Sequence, residues 1–154
     1  MKYDLDIIVP VFREEGNISK TIEEIFKISE INFRLLVVYD FDEDPTIQVI
    51  KNNFDKTQII YLKNKYQGLN GAIKTGFENI QSKATLLYPA DDHENFNLIS
   101  EMFYKFCEGY DIVCASRFID GGSYEGAPLI KRLIVKLVSF TLTNFTSLPT
   151  KDAT

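Results

Sequence analysis

Asp6-Ile7-Ile8-Val9-Pro10-Val11 is a short apolar, β-branched run closed by a proline, and the residues after it change period. From Asn17 to Glu30 the apolar side chains recur at 18, 22, 25, 26 and 28, the spacing of one helix face. A strand followed by an amphipathic helix is half of a βαβ unit, and the same alternation continues down the chain. Phe33 to Tyr39 reads as a second strand, and Pro45 to Phe54 as a helix with Asp44 as its N-cap and Pro45 at its first position. Thr57 to Leu62 is a third strand, Leu69 to Ile80 a helix, Ala84 to Tyr88 a fourth strand, Asn95 to Glu108 a helix and Asp111 to Ala115 a fifth strand. The strands are nearly continuous apolar runs, where a half-exposed sheet would alternate, so both faces are buried and an α/β fold with a parallel sheet is expected. Ligands of such sheets bind at the carboxyl ends of the strands, which directs attention to the residues where strands stop.

The 154 residues suit one domain, here taken as 1–154, with 45% hydrophobic and 13% aromatic residues and no linker, repeat or low-complexity run to divide it. A formal charge of −5 argues against a nucleic-acid partner, which calls for a basic surface. Cys107 and Cys114 match neither a zinc knuckle nor a disulfide framework, and two reduced thiols suit a cytoplasmic location. Met1-Lys2-Tyr3-Asp4 leads straight into the first strand without a signal peptide. The apolar segment Leu129 to Leu148 is interrupted by Lys131, Arg132 and Lys136, which disfavours a membrane span; a core-packing amphipathic helix is expected, with an interfacial helix as the alternative. The chain stops soon after it, at Asp152-Ala153-Thr154, which suggests a catalytic domain truncated at its C-terminus.

Three strand ends carry acids. Strand one runs into Phe12-Arg13-Glu14-Glu15, strand two into Asp40-Phe41-Asp42-Glu43-Asp44, and strand four into Ala90-Asp91-Asp92-His93-Glu94, with the single histidine of the chain. Bare carboxylates on one edge repel and raise one another's pKa unless a cation or donor groups sit among them. Mg²⁺ or Mn²⁺, which accept hard oxygen ligands together with water and substrate phosphates, resolve the conflict. Asp42, Glu43 and Asp44 are equally suited to capping the helix that follows them. No Gly-x-Gly-x-x-Gly follows strand one and no P-loop motif occurs, so a diphosphate would be held by metal and basic side chains. Arg117 and Arg132 are available for that, or are surface charges.

Taken in order, these motifs resemble the family 2 glycosyltransferases, and within them the polyprenyl (dolichyl) phosphate mannosyl- and glucosyltransferases. Ile8-Val9-Pro10-Val11-Phe12-Arg13-Glu14-Glu15 is similar to the family's Val-Pro-x-Tyr-Asn-Glu, and Val37-Val38-Tyr39-Asp40 with Asp44-Pro45-Thr46 to its Asp-Asp-Gly-Ser-x-Asp-x-Thr. Asn64 to Phe77 resembles an Asn-x-Gly-x-x-x-Ala-x-x-x-Gly stretch, and Ala115-Ser116-Arg117-Phe118-Ile119-Asp120-Gly121-Gly122 the Gly-Ser-Arg-Tyr-x-x-Gly-Gly loop of the lipid-phosphate subgroup. The resemblance implies a GT-A fold, a Rossmann-like three-layer sandwich with a mainly parallel sheet.

It also implies roles. Pro10, Phe12, Glu14, Tyr39 and Asp40 would line the nucleotide pocket, with Asp40 pairing to a polar edge of the base. Ala90 would lie beside the diphosphate, Asp91, Asp92 and His93 would supply metal ligands, and Arg117 and Arg132 would face phosphates of donor or acceptor. Asp91 and Arg117 would stabilise the charge on the leaving diphosphate during an inverting displacement. The implied partners are a GDP- or UDP-sugar and a lipid-phosphate acceptor, whose anionic oxygen needs no strong base, with peripheral contact at the cytoplasmic face of the membrane. The sequence departs from the pattern at Pro89, in place of the first Asp of Asp-x-Asp, at Tyr39, Phe41 and Asp42, and at His93 in place of Gln. Those departures leave open a chain that binds a sugar nucleotide without turnover.

Overall fold

A computed structural model describes residues 2–116 and 128–146. The chain falls into two compact units, Met1–Val113 and Cys114–Thr154. In the first unit four strands alternate with helices: β1 Leu5–Val11, α1 Ile18–Ile25, β2 Phe33–Tyr39, α2 Pro45–Asn53, β3 Ile59–Lys63, α3 Gly68–Phe77, β4 Ala84–Leu87 and α4 Asn97–Cys107. The second unit contains α5, Leu129–Phe145.

The strands form one sheet in the order β3-β2-β1-β4, and each neighbouring pair is parallel. Successive side chains of a strand point to opposite faces, so the two central strands feed two separate cores. Ile7 and Val9 of β1 with Leu35 and Val37 of β2 pack against Ile18, Ile22 and Ile25 of α1, Ile47 and Ile50 of α2 and Ile99 of α4. Ile8, Leu36 and Val38 face the other way, onto Ala72 of α3. Each fully buried isoleucine or leucine contributes about 1.5–3 kcal/mol by leaving water, and the apolar runs that signalled a doubly covered sheet do so through both faces.

α3 lies so close to β1 that a Cβ on Gly76 would come within 2.5 Å of Ile8 Cγ2. At the amino ends of the strands, buried Asp6 takes two hydrogen bonds from the Arg34 guanidinium, at 2.9 and 2.8 Å, and the backbone amides of Gln81 and Ser82. At the carboxyl ends, β4 pairs with β1 only as far as Ile8 opposite Leu87, with one more bond from Tyr88 N–H to the Ile8 carbonyl. Pro10, which has no N–H to give, sits just beyond, where its missing donor costs nothing and the two strands part.

The structure corrects three expectations. α1 ends at Ile25 rather than continuing to Glu30, because Lys27 and Ile28 make tight i to i−3 turns instead of helical bonds. Asp111 to Ala115 forms no strand: no ladder partner lies beside it among the described residues, and Ile112 is 82% exposed. α5 is helical as its period requires, yet Ile130, Leu133, Leu137 and Phe140 are exposed where a core-packed helix was expected. Cys107 and Cys114 are free thiols. No helix among the described residues is long and apolar enough to cross a membrane.

Candidate functional site

Because all four strands are parallel, their carboxyl ends share one edge of the sheet. The turns after β1, β2 and β4 are neighbours there, with β2 and β4 two strand spacings apart, roughly 10 Å. The structure thus brings Pro10, Phe12, Glu14, Tyr39, Asp40, Ala90, Asp91, Asp92 and His93 to the same end of the first unit. Arg132 belongs to α5 in the second unit, and Arg117 lies outside the described residues.

The turn after β1 is held by the start of α2. Asp44 is fully buried, and its carboxylate accepts the Thr46 backbone N–H at 2.9 Å and the Arg13 N–H at 3.3 and 3.2 Å. The Thr46 hydroxyl accepts the Glu14 N–H at 2.7 Å, and the Glu14 carboxylate accepts from the Asn17 side chain. Asp44 is therefore the N-cap expected from Asp44-Pro45-Thr46, and also the clamp that holds Arg13 in a left-handed conformation, φ 56°. Phe12, 58% exposed, meets Phe41 from the next strand edge-on at 5.7 Å between ring centroids, and the Arg13 guanidinium lies 5.8 Å from each ring.

Asp40 organises the second turn. Its carboxylate accepts from the Asn64 side-chain amide at 2.5 Å and from Gly68 N–H, at the N-terminus of α3, at 3.0 Å. Asn64 in turn accepts the Tyr66 N–H and the Thr75 hydroxyl on its own oxygen, so the turn before α3 is knotted around one side chain. Gly71 is required there, since a Cβ would meet the Tyr66 backbone at 2.9 Å. Asp42 is paired with Lys63 in an exposed ion pair, which holds the Lys63 ammonium above its ordinary pKa.

After β4, the Ala90 carbonyl accepts a hydrogen bond from the buried Thr21 hydroxyl of α1 at 2.7 Å. Asp92 turns inward and accepts the Glu94 and Asn95 amides and the Asn95 side chain. Tyr88 is buried; burial pushes its hydroxyl well above the usual tyrosine range, and the nearby Asp92 carboxylate pushes the same way. The Nδ1 of His93 is buried without a hydrogen-bond partner. Asp91 is exposed, and its carboxylate makes no hydrogen bond or ion pair among the described residues.

These contacts revise the electrostatics expected of the edge. Asp40, Asp42, Asp44 and Asp92 are each matched by protein donors, so most of the acids need no cation. Among the described residues no three His, Cys, Asp or Glu side chains converge as a metal cage; of Asp91, Asp92 and His93, Asp92 is engaged by its own turn while Asp91 is open. What remains fits a divalent cation of the Mg²⁺ or Mn²⁺ type in a reduced form: one open carboxylate, Asp91, with the other positions left to water and ligand oxygens. Arg13, Thr46 and Asn64 were not singled out from the sequence. The signal for Thr46 and Asn64 was present in the quoted motifs, whereas Arg13 becomes visible only through its backbone conformation.

A family model described as Glycosyl transferase family 2 matches residues 6–152. The chain is 25% identical over 134 residues to the dolichol-phosphate mannosyltransferase of Pyrococcus furiosus, covering 86% of this chain and 38% of that protein. It is 32% identical over 117 residues to an uncharacterized glycosyltransferase of Bacillus subtilis, covering 72% of this chain and 36% of that protein. Among solved structures it is similar to glucosyl-3-phosphoglycerate synthase of Mycobacterium tuberculosis in complex with Mn²⁺, UDP and glucosyl-3-phosphoglycerate, with a TM-score of 0.60 and 12% identity over 71% of this chain and 42% of that one. The fold is thus that of the GT-A glycosyltransferases, and the chain spans less than half the length of each of these proteins.

Proposed function

The chain belongs to glycosyl transferase family 2, and from that membership we propose that it is the nucleotide-binding part of a transferase that moves a sugar from a nucleotide-diphosphate sugar to a polyprenyl phosphate. The observation that carries this is the convergence of the turns after β1, β2 and β4 on one edge, with Phe12, Asp40 and Asp91 in those three turns. Pro10, Phe12, Glu14, Tyr39 and Asp40 line the base and ribose pocket, and Ala90 marks the approach of the diphosphate.

The reaction is an inverting displacement at the anomeric carbon. The lipid-phosphate oxygen attacks, the bond to the nucleoside diphosphate breaks, and the negative charge passes to the leaving diphosphate. Asp91 would hold a Mg²⁺ or Mn²⁺ ion, which when bound supplies charge neutralisation for that leaving group. Arg117, outside the described residues, is assigned to the same charge, and Arg132 to a phosphate of donor or acceptor. The acceptor oxygen is already anionic near neutral pH, so no general base is required of this chain. The lipid acceptor agrees with the dolichol-phosphate mannosyltransferase among the relatives and with contact at the cytoplasmic face of a membrane.

A second reading has an observation of its own. Asp92 is spent on its own turn and Pro89 offers no ligand, which favours a chain that binds the nucleotide sugar without turning it over. Calorimetric titration with UDP and GDP, with and without Mn²⁺, beside a turnover assay on the full-length protein, separates the two. Mn²⁺-dependent binding with sugar transfer supports the transferase; tight binding with no transfer supports the second reading; no binding of either nucleotide overturns both.

A further inference from the structure

We propose that Arg13, seated against Phe12 and Phe41, selects the base of the nucleotide, and that the base it selects is guanine. The inference rests on the assignment of these strand ends to a nucleotide pocket and narrows the class of donor.

Arg13 holds a backbone conformation that side-chain-bearing residues seldom adopt, φ 56°, and it does so because the buried Asp44 carboxylate takes its N–H at 3.3 and 3.2 Å. A buried acid spent on keeping an exposed arginine in place marks a side chain whose position matters. Its guanidinium lies 5.8 Å from the centroids of both Phe12 and Phe41, which are themselves 5.7 Å apart. The two aromatic contacts engage the cation, and no carboxylate lies within ion-pair distance of it among the described residues. The flat fork of N–H donors therefore remains free at the carboxyl end of β1, one strand away from Asp40.

The bases differ in what they offer such a fork. Guanine presents two adjacent acceptors, O6 and N7, which an arginine can bond in pairs. Adenine puts a donor beside N7, cytosine offers a donor amine, and uracil has a single carbonyl on that edge. Guanine's remaining edge, with its N1–H and N2 amine, donates, and suits a carboxylate. Asp40 supplies one whose two oxygens each accept a single protein donor, from Asn64 and Gly68, and each keeps a further lone pair. Arginine and aspartate at the ends of neighbouring strands thus meet two acceptors and two donors on guanine, against one of each, O4 and N3–H, on uracil. Phe41, at a position where the resembled motif has glycine, provides the second ring of the seat.

The test is calorimetric titration of the full chain and of R13A, R13K and F41A with GDP and with UDP. The wild-type chain should bind GDP at least about tenfold more tightly than UDP. R13A should lower GDP affinity by about 5- to 150-fold while moving UDP affinity less than about threefold, since one bidentate contact is lost. R13K, which keeps the charge without the fork, should resemble R13A with GDP, and F41A should fall between them. Thermal melts of each variant and of R13G, which relieves the backbone strain, identify any loss that is only unfolding. Equal or tighter binding of UDP by the wild type overturns the proposal, as does an equal loss of both nucleotides in a folded R13A, which marks Arg13 as a phosphate contact alone. Failure of the wild-type chain to bind either nucleotide removes the pocket assignment itself, a result distinct from both.

Discussion

Replacing Asp44 by alanine tests whether one buried carboxylate joins the fold to the site. The side chain accepts the Thr46 amide as the N-cap of α2 and the Arg13 amide across a sequence separation of 31 residues. Losing an N-cap costs about 1 kcal/mol. Leaving the part-buried Arg13 N–H without an acceptor costs about 1–3 kcal/mol more. Together the loss is about 3 kcal/mol, which for a chain of this size lowers the melting temperature by about 6–12 °C. Asp44→Asn should be milder, near about 1 kcal/mol, because an amide oxygen in place of Oδ1 still accepts both amides and only the 3.2 Å contact of Arg13 N–H with Oδ2 is lost. Urea and thermal unfolding followed by circular dichroism give both values. In the alanine variant nucleotide affinity should fall as well, since the Arg13 turn is released. A melting temperature for Asp44→Ala within about 1 °C of wild type, or equal losses for the two variants, would refute the reasoning.

Three further outcomes are expected. Asp6→Asn should destabilise the chain by about 3–5 kcal/mol in urea melts near neutral pH, because it leaves the Arg34 guanidinium buried without its partner. Burial alone would raise the Asp6 pKa, but the Arg34 fork and the Gln81 and Ser82 amides outweigh it and hold the carboxyl below its ordinary value. Its contribution is therefore complete above about pH 4 and lost as the pH falls through the lower folded value, so the acid limb of a stability profile should be shallower in Asp6→Asn than in wild type. Gly76→Ala should cost about 1–3 kcal/mol in the same melts, since the new methyl must displace Ile8 or shift α3. Asp91→Asn should leave the melting temperature within about 1 °C of wild type while abolishing any tightening of nucleotide binding by Mn²⁺, because the exposed carboxylate supports no protein contact.

The layering of the first unit was legible because it depends on local periods. Ile7 and Ile8 had to face opposite ways, and the unbroken apolar runs demanded cover on both sides. The sharing of one edge by Asp40 and Asp91 followed from the strands being parallel, with no side-chain detail needed. What escaped was pairing at long range. Asp44-Pro45-Thr46 announces a cap, but the reach of Asp44 to Arg13 depends on β1 lying beside β2 in the observed register. The acids were countable in the sequence, whereas their donors, Asn64 and the amides of Gly68, Glu94 and Asn95, were not. Ile112-Val113 has the composition of a strand and lacks a ladder partner among the described residues, and composition cannot supply one. The stripe on α5 likewise fixes its period but not what meets it.

The sheet's rims have a consequence for how the protein behaves in concentrated solution. β3 and β4, the outermost strands among the described residues, are five and four residues long against seven for each central one. β3 finishes on Lys63, and β4 is bracketed by Lys83 and Pro89. A short ribbon of main chain flanked by a charge, or by a residue that cannot donate, is a poor template for another molecule's backbone. Among the described residues the sheet has two such borders, and each discourages self-templated fibre growth.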